Sequence, residues 1–138
     1  MPLDPQDIEA PFFAVLKSGS AGAAVRALLG NDAASVIDAD DLGAASLPTA
    51  PFVVLRRGPL TGAHLQLRTL FVAWWLYDDA SRRYDRLNEI VALITAAYPR
   101  TTAIPFCHVE LVDLNKQRDK ALGNRPTIPM RFTVRTRR

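Results

Sequence analysis

His64-Leu-Gln-Leu-Arg-Thr-Leu-Phe-Val-Ala-Trp-Trp-Leu-Tyr77 is an alternating run closed by Asp78-Asp79, and a helical pattern follows it to Tyr98-Pro99. Together they read as one long β-strand feeding one long amphipathic helix, with the rest of the chain packed around the pair. Side chains alternate between the two faces of a strand. The odd face carries Leu65, Leu67, Thr69, Phe71, Ala73, Trp75 and Tyr77, apolar nearly throughout, and is expected to face the core. The even face is polar in its first half (His64, Gln66, Arg68) and apolar in its second (Leu70, Val72, Trp74, Leu76). This switch predicts a first half open to water and a second half covered. At about 3.3 Å per residue the run would span about 46 Å, more than a compact domain of this size needs. Two readings follow: an overhang that meets another chain, or a β-bulge that divides the strand.

The helix is marked by Tyr84, Leu87, Val91, Ile94 and Tyr98 at helical spacing, with Ile90 and Ala97 beside them. Asp79 or Ser81 is a candidate cap. Arg82 and Arg83 are expected in the first turn, where positive charge opposes the helix dipole.

The chain has 138 residues, 49% of them hydrophobic, which suits one domain with a real core. A net charge of +3 is too small to imply nucleic-acid binding. A single cysteine, Cys107, excludes an internal disulfide and is expected as a small core residue. No apolar run reaches the length of a membrane span, and the N-terminal MPLDPQDIEA lacks a signal-peptide pattern. The expectation is a soluble protein of a reducing cytoplasm.

Before the long strand, Asp4 to Leu29 reads as helix in two pieces, interrupted at Ser18-Gly19-Ser20 and closed by Gly30-Asn31. Ile8, Phe12, Val15 and Leu16 make its apolar stripe, and Pro11 is read as lying close to the helix start. Ser35 to Asp38 is a short strand candidate, Asp40 to Ala50 a loop, and Pro51 to Arg57 a strand with a central place in the sheet. Gly58-Pro59 and Thr61-Gly62 bound an expected turn. After the helix, Pro105 to Val112 is expected as strand, Asp113 to Pro126 as a polar loop with a possible helical turn, and Thr127 to Thr136 as the last strand. Its Ile128, Met130, Phe132 and Val134 share one face. Strands on either side of one long helix argue for a single-domain α+β fold over residues 1–138. Its sheet would be mostly antiparallel, with the long helix and the N-terminal helix packed on it.

Motifs for chemistry are missing. His64 and His108, the only histidines, have no second ligand at metal spacing, and no nucleophile-elbow motif is present. Gly58-Pro-Leu-Thr-Gly62 lacks the Lys-Ser/Thr ending of a phosphate loop. Asp38, Asp40 and Asp41 lack the spacing of a divalent-cation loop. No catalytic, cofactor-binding or metal-binding residue is assigned, and no cofactor.

The layout nonetheless resembles a known family. It combines an N-terminal helix ending in a small-residue turn, the strand Pro51-Phe-Val-Val-Leu55, and a long strand ending Trp75-Leu-Tyr-Asp78. A long helix and two strands split by a polar loop complete it. In this order of parts the chain is similar to the tail-terminator, or tail-completion, proteins of long-tailed bacteriophages. The resemblance spans nearly the whole chain and is carried by patterning. It implies no catalytic residues. It implies a homo-hexameric ring that caps the tail tube, ends its polymerisation and joins the tube to the head connector or stopper protein. The ring would be a virion component assembled in the host cytoplasm. It would touch no membrane and read no nucleic-acid sequence, with DNA passing through it. Another neck protein (a head-closure or connector component) is the alternative, and an unrelated small enzyme a third reading. Arg68, Trp74, Lys116, Arg118, Lys120 and Arg125 are the residues expected at the subunit or tail-tube interface, the last four through the polar loop Asp113 to Pro126.

Overall fold

The computed structural model describes residues 5–42, 47–61, 67–99 and 107–137. It is a single-domain α+β fold. Helix α1 (Pro5–Lys17) leads through a 3-10 turn into α2 (Ala23–Leu28). Strand β1 (Val36–Asp38) follows, then β2 (Phe52–Thr61), β3 (Leu67–Tyr77), α3 (Asp85–Ala97), β4 (Cys107–Leu114), β5 (Gln117–Asp119) and β6 (Arg125–Arg137). The sheet order is β1-β2-β3-β6-β4, with β5 also paired to β6. Among the described residues only β1 and β2 pair in parallel. The long strand β3 is therefore the middle of the sheet, and β2 stands one place from the edge.

Register decides which face of β3 is the core. Leu70, Val72, Trp74 and Leu76 stand opposite Val134, Phe132, Met130 and Ile128 of β6. These two apolar rows make one continuous surface. Leu87, Ile90, Ile94, Ala97 and Tyr98 from α3 pack on it, as do Phe12, Val15 and Leu16 from α1 and Val25 from α2. Each large side chain so buried contributes about 1.5–3 kcal/mol. The expectation that the odd face of β3 is the core is thus overturned. The helices cover the even face, and the odd face lies on the other side of the sheet, where Phe71 is 39% exposed. Both rows of β3 are apolar in this half, so an apolar count alone could not choose between them.

Three elements meet at one polar chain inside the core. Trp74 Nε1 donates to Tyr98 Oη at 2.9 Å, and Tyr98 Oη donates to the Phe12 carbonyl at 2.6 Å. Phe12 stacks on Tyr98 with ring centroids 4.4 Å apart. Burial pushes the Tyr98 hydroxyl well above its usual pKa. Each buried polar tip therefore has a partner, as burial requires. Gly22 lets α1 and the turn before α2 approach closely, since a Cβ there would lie 2.3 Å from the Val15 carbonyl oxygen.

Several local expectations change. Pro11 lies inside α1, six residues past Pro5, and not near its start. Gly58-Pro59 is not a turn: β2 continues through it to Thr61, with a register shift between Arg57 and Leu60. The bulge considered for β3 is therefore in its partner, while β3 pairs with β6 without interruption from Leu67 to Tyr77. Helix α3 begins at Asp85 with Tyr84 as N-cap and no side-chain cap. Arg82 and Arg83 precede it, and Asp79 instead accepts from the Ser81 backbone N–H at 2.9 Å in a turn of its own. Half of the polar loop Asp113 to Pro126 is strand, and the helical turn expected within it is a 3-10 turn at Lys120–Leu122. The loop forms the tip of a hairpin in which β4 and β5 run along β6, interrupted at Asn115-Lys116 and turned at Lys120 to Asn124. The expected polar start of the long strand at His64 to Gln66, and the expected start of β4 at Pro105, lie outside the described residues.

Candidate functional site: the uncovered sheet face

Among the described residues, the face of the sheet opposite the helices is covered at one end only. Phe52, Val54 and Tyr77 are buried there beneath Ile37, Ala39, Leu42, Leu47 and Ala50, with Leu122 of the hairpin turn beside them. Ala39, Leu42, Leu47 and Ala50, between β1 and β2, therefore lie on this side and shield the strand ends. Beyond it lies an open groove of about 420 Å³.

The register builds this groove row by row. Ala73 stands between Arg56 of β2 and Arg131 of β6, and Arg131 is opposite Asp113 of β4. One residue pair along, Trp75 lies between Val54 and Pro129; in the other direction Phe71 faces Thr133. A small residue is thus flanked across the strands by two arginines and along its own strand by two aromatic rings. Alternation puts all of them on one side of the sheet. Gly58 lines the same groove, and the close approach of β2 needs a glycine: a Cβ would lie 2.9 Å from Phe71 Cβ. Val112 adds an apolar wall and is 59% exposed.

The two arginines differ. Arg131 Nη1 bonds Asp113 Oδ1 at 3.1 Å in a half-exposed pair. The Arg56 guanidinium lies over the Trp75 ring, 4.8 Å from its centroid, and donates to Tyr77 Oη at 3.0 Å. No carboxylate pairs with it among the described residues, and its Nε is buried without a hydrogen-bond partner. An unmet buried N–H costs about 1–3 kcal/mol, and such a group in a native fold calls for an explanation. Tyr77 also donates to Asp119 at 3.0 Å. Burial pushes its hydroxyl up to about 12, against the opposing pull of Arg56. The arrangement can bind, by desolvated apolar contact with cationic anchoring; it offers an acidic group a place between arginines.

The residues expected at an interface do not form one surface. Trp74 is a correction: it is fully buried under the helices and its neighbour Trp75 reaches the groove. Arg68 pairs through its backbone with Thr136 at the far end of β6, and its side chain lies outside the described residues. Lys116, Arg118, Lys120 and Arg125 cluster on the hairpin at the other end, about 37 Å away at ~3.4 Å per residue. Three of these four serve the fold itself. Arg118 donates to the carbonyls of Ala80, Arg82 and Asn124 at 3.3, 3.2 and 2.9 Å. Lys116 lies over the Tyr84 ring and Arg125 over Phe52. Lys120 is exposed.

Other charges tie elements together. Asp78 is fully buried at the end of β3 and accepts from Arg86 Nε at 3.0 Å, with Arg82 Nε 3.6 Å away. On the helix side Arg57 joins Glu9 of α1, Asp38 of β1 and Asp40. That hydrogen bond holds the Asp38 carboxyl below its ordinary pKa and raises that of Arg57. Among the described residues no group of three or more His, Cys, Asp or Glu is placed to hold a metal ion.

Arg56, Phe71, Trp75, Val112, Arg131 and Thr133 were missed because the sequence shows no pairing. One signal was present. The β6 face bearing Arg131, Thr133 and Arg135 is polar, and pairing it with an apolar β3 face makes a mixed surface that no helix would cover. The chain matches no protein-family model. It shows no significant similarity to a curated protein.

Proposed function

We propose that this chain is a structural subunit of a phage tail, forming a six-membered ring that caps the tail tube. In this reading the ring ends tube polymerisation and presents a surface to the head connector or stopper protein. The supporting observation is the uncovered sheet face, an apolar groove rimmed by Arg56 and Arg131 in a fold whose helices all lie on the other side. A face of this kind suits contact between subunits, since the exposed Phe71 and Val112 offer apolar area beside two arginines. The order of elements, with a long central strand and long helix between flanking strands, is the layout on which the family resemblance rests. Binding replaces catalysis in this account, and no cofactor is invoked.

A closed ring has defined stoichiometry, which a tube end of fixed symmetry requires. The test is tube growth. Tail-tube protein polymerising in the presence of this chain is expected to stop at short, capped tubes. Unchanged tube lengths at a molar excess of the chain would overturn the proposal. Capture by purified connector with no effect on tubes would favour the head-closure reading instead.

A further inference from the structure

A ring needs two different surfaces on each subunit, one that gives and one that receives. The receiving surface is the notch over Ala73, between Arg56 and Arg131 and between the rings of Phe71 and Trp75. Its chemistry calls for a short acidic segment. Arg56 already lies over the Trp75 ring with no carboxylate partner among the described residues, so an incoming carboxylate meets a cation held in place.

The giving surface is the 3-10 turn Ala39–Asp41, directly after β1. The Asp40 side chain is 84% exposed, touching only the edge of the Arg57 cluster at 3.3 Å. The Asp41 side chain is exposed and makes no hydrogen bond or ion pair among the described residues. The turn stands at the β1 edge of the sheet, whereas the notch opens across β2, β3, β6 and β4 toward the other edge. One subunit can therefore offer the turn to one neighbour and the notch to the next. A self-complementary dimer would leave no such free pair.

We propose that the arginine-flanked notch over Ala73 receives the Asp40-Asp41 turn of a second copy of this chain, so that copies join head to tail. This inference rests on the ring reading and names its contact. Charge complementarity selects the register and the apolar walls exclude water around it.

Sedimentation velocity of the full chain tests it, at about 50 mM and about 500 mM salt, where the screening length falls from over 10 Å to under 5 Å. The wild type is expected to associate with concentration at low salt and about tenfold more weakly at high salt. Asp41→Arg and Arg56→Glu are each expected to weaken association about tenfold or more, and their equimolar mixture to restore it, because each reversed surface then meets its complement. Val112→Glu is a second groove variant on an exposed side chain, and should act as Arg56→Glu does without touching the Tyr77 contact. Thermal unfolding of each variant confirms that it is folded.

Association that ignores all three substitutions overturns the pairing and leaves the ring reading standing, with its interface elsewhere. No association of the wild type at either salt also overturns the pairing, and tube capping then decides the ring reading separately. Single variants that fail together with their mixture overturn it as well.

Discussion

Arg118 donates to three backbone carbonyls, two in the segment entering α3 and one in the hairpin turn. A residue read from sequence as an interface contact on a polar loop is thereby a clamp between two segments. Arg118→Ala is expected to lower stability by about 1–3 kcal/mol in urea unfolding, in the range of hydrogen bonds from a charged donor. Lys120→Ser, a few residues away and exposed, should stay within about 0.5 kcal/mol. Equal effects would mean that the clamp contributes nothing. Tyr77 gives a pH prediction. Its hydroxyl is raised from 10.0 to about 12 by burial, so the unfolded chain loses this proton first. The contribution is complete below pH 10 and is lost as pH rises toward 12. Tyr77→Phe should therefore flatten the fall in melting temperature over this range, leaving the share due to buried Tyr98. An unchanged alkaline profile would show that Tyr77 does not titrate as its surroundings require.

At the scale of elements, α3 is the best-marked piece of the sequence and carries the clearest stability prediction. Leu87 and Ile94 are fully buried against the sheet. Leu87→Ala or Ile94→Ala should each cost about 2–5 kcal/mol, as for large-to-small changes in a packed core; chemical denaturation measures it. The apolar stripe of α3, the one-sided row Ile128 to Val134 of β6 and the run from Phe52 to Leu55 were legible because local spacing alone fixes them. What failed depended on partners. The core face of β3 follows from its register with β6, and a one-residue shift would reverse it. The hairpin of β4, β5 and β6 looked like a loop because Gln117-Arg-Asp119 is polar on both faces, as an outer strand in water can be. The groove was invisible for the same reason: Arg56, Ala73 and Arg131 become neighbours only through pairing. The N-terminus of α3 was misplaced because Asp79 and Ser81, good capping residues, bond to each other.

At the scale of the molecule, the three described α-helices pack on one side of a six-stranded sheet, and the other side keeps an aromatic, arginine-edged groove. Covering that groove with a neighbouring subunit would remove Phe71 and Val112 from water and supply a partner for Arg56. The same step repeated around an axis makes a closed ring, provided the rotation closes. The free protein is expected to associate only weakly, because the groove is small and part of the exposed sheet is already shielded by Leu42, Leu47 and Ala50. The tube end would then act as the template that gathers six copies. Electron microscopy of tail tubes incubated with this chain tests the claim most directly. The expected result is a ring of six subunits at one end of each tube; a stable dimer on the tube, or bare ends at saturating protein, would contradict the ring.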